Sequence, residues 1–373
     1  MKTKILLFLL WAGPLLAQET VESQLTNLLD KYQAVGLSVA VVKKGELIYT
    51  KALGKKNLTS GEALESDDIF RIASISKSFS STSIMQLVEA GKLKLTDDVS
   101  DLVGFKVRNP KYPDVLITLK MLLSHTSSLN DSEGYFTLDP ANPEKNPNWE
   151  KCYNDYAPGK GYMYCNLNFN MVGTIIEKYS GERFDQYVKN HVLQPLGLYG
   201  GYCVDSLDSD KFAGIYEFDA DKKAYEFSEG AYHPRREIIS NYVFGYTTPV
   251  FSPTGGMKIS APDLARYMSM HMQYGKSGKV RIISKKHAKL MQTPVSDNGY
   301  GLALLHTESL IPGEDMVGHT GSAYGLYSSM FFNPKEKFGI VAITNGCRDC
   351  VDEHWRNVML QEVTRLLYQD LIK

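Results

Sequence analysis

Apolar residues along this chain recur at two spacings, and the switches between them divide it into strands, then mostly helices, then strands again. Val21, Leu25, Leu28, Leu29 and Tyr32 follow a helical period, which predicts a packing helix over 21–34. Residues 37–42 and 47–52 are short apolar runs parted by Lys43-Lys44-Gly45-Glu46, the pattern of a hairpin. Helical spacing starts at Ser74, with Phe79, Ile84, Met85, Leu87 and Val88 apolar and Gly91 as the stop. Further helices are expected over 117–123, 166–179, 184–193 and 262–274; in the last, Leu264, Tyr267, Met268 and Met270 form a stripe that reads as core. Strands are expected at 300–305, 324–332 and 338–344, with 333–337 as the turn between the last two. A closing helix carries Trp355, Met359, Val363, Leu366 and Leu367 on one face.

This layout predicts an α/β fold of the α+β type. The first and last parts, about 20–75 and 250–373, share one antiparallel sheet flanked by helices, and a mainly helical part, about 76–249, is inserted between them. An active site is expected in the cleft between the two. The polar segment 131–160 is too long for a passive connection and is expected to fold over the surface near that cleft. The segment 199–246 is dense in aromatic residues, with Tyr216-Glu217-Phe218 and Tyr225-Glu226-Phe227 placed as hairpin arms. Alternation predicts edge-strand packing for these rings; a substrate-pocket wall is the functional alternative.

Composition narrows the partners. With 43% hydrophobic residues in 373, the chain is long and apolar enough for one large domain or two closely packed ones. Lys+Arg 41 against Asp+Glu 42, with no basic block, gives neither a nucleic-acid footprint nor a polybasic membrane patch, so a small-molecule or peptide substrate is expected. Lys2 and Lys4 precede an apolar run over 5–16 and then Ala17, which predicts a signal peptide over 1–17 and a mature domain over 18–373. The run is short for a bilayer span and no Cys follows it, so an exported, periplasmic or extracellular protein without a membrane anchor is expected.

Five cysteines leave at least one unpaired, and Cys347 and Cys350, three positions apart, are expected to form a local disulfide. With His354 they make three potential zinc ligands where a structural site needs four, so no metal is expected. The absence of a G-x-G-x-x-G or P-loop pattern gives no sign of a nucleotide cofactor.

Three short motifs carry chemistry. Ser74-x-x-Lys77 sets a hydroxyl and an amine on one face of a helical first turn, and a lysine in a partly dry cleft can serve as the base that a serine nucleophile needs. Tyr164-Cys165-Asn166 precedes a helix, and His319-Thr320-Gly321 is followed by Ser322. His125 is read as structural, because nothing beside it in sequence orients it as a base. In this order, together with Leu122-Leu123-Ser124-His125-Thr126-Ser127, Gly255-Gly256, Tyr300-Gly301-Leu302 and Val341-Ala342-Ile343-Thr344-Asn345, the motifs resemble the penicillin-recognising serine hydrolases: class C beta-lactamases, DD-carboxypeptidases, D-aminopeptidases and related esterases.

That resemblance covers essentially the whole mature chain and implies a beta-lactamase/transpeptidase-like fold without a cofactor. It implies that Ser74 attacks a carbonyl, that Lys77 and Tyr164 share the proton, and that Asn166 binds the substrate amide or holds Lys77. Tyr164 acts as a base only if a cation such as Lys77 depresses its pKa. His319, Thr320 and Gly321 would line the cleft on an edge strand, Gly321 admitting the substrate backbone, with the oxyanion between the backbone amides of Ser74 and Ser322. His319 stands where class C beta-lactamases carry lysine, Cys165 where small or hydroxyl residues are usual, and Ser128 where glycine is usual. Arg348 is a candidate carboxylate ligand, with a solvated loop arginine as the plain alternative. The expected function is hydrolysis of amides or esters, foremost D-amino-acid peptides of cell-wall type; the alternatives are a carboxylesterase, a weak beta-lactamase, or a beta-lactam sensor that acylates without turnover.

Overall fold

The computed structural model describes residues 19–348, 350–352 and 357–373. The expected leader over 1–17, the third zinc ligand His354 and Trp355 of the closing helix lie outside the described residues.

Six strands, β1 (Gly36–Lys43), β2 (Glu46–Gly54), β3 (Leu305–Thr307), β4 (Met316–Ala323), β5 (Leu326–Asn333) and β6 (Phe338–Thr344), form one antiparallel sheet in the order β3-β4-β5-β6-β1-β2. The sheet joins the two ends of the chain, since β1 lies against β6 with Val39 opposite Ala342. Helices α1 (Val21–Lys31), α4 (Ala261–Met272) and α5 (Val358–Leu371) pack on it, while α2 (Ser76–Glu89) and α3 (Asn166–Ser180) pack on each other beside it.

The strand period of two explains how both faces of the sheet are covered. Leu37, Val39 and Val41 of β1 point into a cluster with Leu25 of α1 and with Met359, Val363 and Leu367 of α5. The intervening Ala40 and Val42 join the larger core with Leu264 and Met268 of α4. β1 is therefore buried from Gly36 to Val42, Ser38 included, because neither of its faces meets water. Leu264, Tyr267, Met268 and Met270 are buried, as the reading of that stripe as core requires.

Several elements depart from the sequence reading. Residues 300–305 do not form a strand: Ala303 sits at φ 65°, Gly299 at φ 84°, and Gly301 N–H donates back to Leu304 O, so the chain folds on itself and pairs with β4 only from Leu305. The expected helix 184–193 is α-helical over Phe184–Val188 and then widens to a π-turn over Lys189–Leu193 ahead of Pro195. The inserted part is not all helix. It contains the Tyr216–Asp219 and Ala224–Phe227 hairpin, with Tyr216 opposite Phe227, and two short 3-10 turns inside the polar segment, Asp139–Ala141 and Trp149–Cys152.

A small second sheet positions the chemistry. Phe70–Arg71 pairs with Lys258–Ile259, which also pairs with Gly200–Gly201. Ile72 N–H then donates to Met257 O at 2.9 Å, so the chain entering Ser74 is clamped to the segment before α4.

Candidate active site

Ser74 sits in the 3-10 turn Ala73–Ile75 that runs straight into α2, so the α-helix begins two residues after the expected start at Ser74. The preceding Ala73 takes φ 47°, a left-handed conformation that costs a non-glycine residue about 1–2 kcal/mol and persists only where surroundings enforce it. The surroundings are visible: Ser328 Oγ of β5 donates to Ile72 O at 2.9 Å, and β4 presses Gly321 against the turn. A Cβ at Gly321 would collide with Ile72 O and Ser328 Oγ and would stand 3.1 Å from Ala73 Cβ. The missing side chain thus makes room for the nucleophile turn, a reason for glycine that the sequence reading did not give.

Lys77 lies one helical turn further on and is fully buried. Its Nζ is 3.1 Å from Ser74 Oγ, 2.9 Å from Asn166 Oδ1 and 2.9 Å from Thr254 O. The last two atoms only accept, so an uncharged amine satisfies both with its two hydrogens and turns its lone pair to the Ser74 hydroxyl. Burial, opposed in part by the field of Asp131, pulls the Lys77 pKa down to about 7. No carboxylate touches the amine among the described residues, which is why desolvation wins.

Asn166, the first residue of α3, is held by Asp131, a residue that the sequence reading left inside the polar segment. The Asp131 carboxylate accepts from Asn166 N–H (2.8 Å), Leu167 N–H (3.0 Å) and Asn166 Nδ2 (3.0 Å). It thereby caps α3, whose N-cap position is occupied by Cys165 with no capping bond of its own. The Cys165 thiol also donates to Asp131, at 3.2 Å. Asn166 Oδ1 is left facing Lys77 and the Thr254 hydroxyl (2.8 Å).

Tyr164 faces Lys77, whose Nζ lies 4.7 Å from its ring centroid. Its oxygen is buried near Ser74 without completing a hydrogen bond, and burial raises its pKa well above that of a free phenol. The expectation of a depressed tyrosine pKa is therefore corrected: in the resting site Tyr164 is a neutral phenol and Lys77 is the group that can be unprotonated. His125 packs behind it, ring centroids 4.3 Å apart, and accepts from Cys165 N–H at 3.2 Å. This agrees with a supporting role, although its place against Tyr164 was invisible in the sequence.

His319 is buried on β4, with Nδ1 2.5 Å from Thr320 O and Nε2 2.9 Å from Tyr300 Oη. Donation from Nδ1 to the carbonyl leaves Nε2 to accept from the phenol, and burial lowers the pKa to about 4. The imidazole is neutral at physiological pH. Strand β4 is second from the edge, not the edge itself; β3 pairs only with Met316–Gly318, so His319 to Ala323 have an unpaired outer side. That side opens on a cleft of about 840 Å³ where Thr320, Gly321 and Ser322 face Ser74, Tyr164 and Asn166.

Not every expected residue is here. Arg348 donates from Nη1 to Gln33 Oε1 at 3.1 Å and lies over the Phe218 ring, away from the cleft. The Cys347–Cys350 disulfide forms, and Cys152, Cys165 and Cys203 are buried thiols. Among the described residues no three His, Cys, Asp or Glu side chains gather as a metal site.

An antiparallel sheet whose inner strand faces a serine–lysine pair at the mouth of a buried helix defines the penicillin-recognising serine hydrolases. The chain belongs to the beta-lactamase family, whose profile matches residues 21–362. It is similar to Protein flp of Staphylococcus aureus strain MW2, 24% identical over 344 residues covering 88% of this chain. It spans only 63% of the length of that relative. Among solved structures it resembles the octameric penicillin-binding protein homologue from Pyrococcus abyssi (25% identity, TM-score 0.73, 94% of this chain and 76% of that one). The D-amino acid amidase from Ochrobactrum anthropi SV3 shares the fold (19% identity, TM-score 0.72, 95% and 99%).

Proposed function

We propose that this protein is an exported serine hydrolase that cleaves amide or ester bonds through an acyl-enzyme on Ser74, with D-amino-acid peptides of cell-wall type as its substrate class. The observation that carries the reading is the 3.1 Å contact between Ser74 Oγ and a buried Lys77 amine whose pKa lies at about 7. Lys77 takes the hydroxyl proton as Ser74 Oγ bonds to the carbonyl carbon, and the carbonyl electrons move to an oxyanion held by the Ser74 and Ser322 backbone amides. Collapse expels the leaving group, which takes a proton from the Tyr164 phenol; the Lys77 ammonium returns one to the tyrosine. Water then attacks the ester by the same route in reverse and frees Ser74. The substrate class draws support from the fold shared with a D-amino acid amidase.

A carboxylesterase is the second reading. It is favoured by the neutral His319, which offers no charge for a peptide carboxylate, and by the rings of Tyr135, Phe136 and Tyr324 along the cleft. Turnover of nitrophenyl esters against D-alanyl-D-alanine peptides separates the two. Ser74→Ala is expected to abolish hydrolysis and fluorophosphonate labelling; unchanged turnover would overturn the assignment. Intact mass after exposure to a beta-lactam separates a stable acyl-enzyme, the mark of a sensor, from turnover.

A further inference from the structure

The end of the cleft away from His319 and the cavity beside it are lined by two arginines, Arg71 and Arg235, that acyl transfer leaves unused. Arg71, three residues before Ser74, borders both the Ser74 cleft and an adjoining cavity of about 300 Å³. Its Nε donates to Gly255 O at 3.0 Å, while Nη1 and Nη2 reach Ala231 O and Ser252 Oγ only at 3.5 and 3.4 Å. All three acceptors are neutral, and a guanidinium has five N–H donors, so capacity remains. Arg235 lines the same cavity; its backbone N–H is bound to Asp205, but its guanidinium has no hydrogen bond or ion pair among the described residues. Among the described residues no carboxylate pairs with Arg71 either. Burial, with Arg235 adding to it, presses the Arg71 pKa downward, yet a guanidinium does not give up its proton in a protein. Two fixed positive charges therefore face one cavity, whose other walls include Tyr135, Phe136 and Tyr246.

We propose that this cavity is an anion subsite of the active site, in which Arg71 and Arg235 bind a carboxylate carried on the acyl portion of the substrate. The orientation follows from the strand. Tyr164, which protonates the leaving group, packs against His319 at one end of the cleft, with ring centroids 6.1 Å apart. Arg71 lies over Tyr324, just past the other end of β4, at 5.0 Å from the ring. The leaving group departs toward the neutral histidine, so the acyl group extends toward the arginines, with aromatic rings against its carbon skeleton. A planar guanidinium takes a carboxylate through two parallel hydrogen bonds, which a lysine in its place does not reproduce.

The inference rests on Ser74 being the nucleophile, and its test keeps the two apart. The α-nitrophenyl esters and α-nitroanilides of N-acetyl-aspartate and N-acetyl-glutamate, in both configurations, are compared with those of asparagine and glutamine, which differ in charge alone. In at least one pair the acid is expected to exceed its amide in kcat/KM by about tenfold, and Arg235→Gln and Arg71→Gln are expected to bring that ratio to about one. The ratio is internal to each variant, and Arg235 holds no described side-chain bond, so a poorly folding Arg71 variant does not decide the matter. Ser74-dependent hydrolysis without acid preference, or a preference retained in the Arg235 variant, overturns the subsite and leaves the nucleophile standing. No Ser74-dependent hydrolysis of any pair overturns both.

Discussion

Lys77 and Arg71 approach one cleft from different sides, and burial treats them differently. Lys77 is wholly enclosed among neutral acceptors, and its pKa falls to about 7, so much of the population is uncharged at neutral pH. Arg71 also meets only neutral acceptors, yet its delocalised cation holds its proton. The same loss of water makes a base of one side chain and a fixed charge of the other. The proposed chemistry at the Tyr164 side and the proposed recognition at the Tyr324 side both rest on that choice of nitrogen.

Putting the wrong nitrogen at the base is the strongest way to break the contrast. Lys77→Arg keeps the charge but supplies no unprotonated form, and kcat/KM is expected to fall about 10²–10⁴-fold, the usual worth of a general base. Retained activity would mean that Lys77 acts only through its charge. With Lys77 as the proposed base of acylation, kcat/KM for an uncharged substrate is expected to rise as pH passes through about 7 and to level above it. Below that limb the rate falls about tenfold per pH unit. His319, with its pKa at about 4, adds no second limb near neutrality.

Asp131→Asn sharpens the picture by removing the charge that favours the Lys77 ammonium. The limb is expected to move to lower pH, and replacing one accepting oxygen by an NH2 that faces the N–H groups opening α3 is expected to cost about 1–2 kcal/mol by thermal or urea unfolding. A limb that stays in place would show that the Asp131 field does not reach the amine. Ala73→Gly is the mildest change: relief at φ 47°, set against the added freedom of the unfolded chain, leaves a stability gain of about 0.5 kcal/mol, read from unfolding midpoints.

Most of the central architecture was legible because it is written in local periods. β1 alternates between two cores, α4 and α5 bury helical stripes, and Ser74 and Lys77 sit at a spacing that brings them together in any helical turn. What escaped notice depends on distant contacts. Asp131 reaches Asn166 across 35 positions, and Thr254 reaches Lys77 across 177; neither stands in a pattern that marks it. Arg71 was within sight of the motif, but only the cavity beside it gives its charge a meaning. Residues 300–305 read as a strand because they form a short apolar run, while the left-handed Ala303, whose N–H donates to Leu123 O, is enforced from outside.

The collision that any side chain at Gly321 would meet carries a lesson for re-engineering. The floor of the cleft, where strand meets nucleophile turn, has no slack for even one methyl group, so mutational searches for new activities should leave it alone. The walls are different: Tyr135, Phe136 and Tyr324 come from loops, where bulk can be added or trimmed without disturbing the sheet. Libraries confined to those loops would retune which acyl groups enter while inheriting the reactive centre intact.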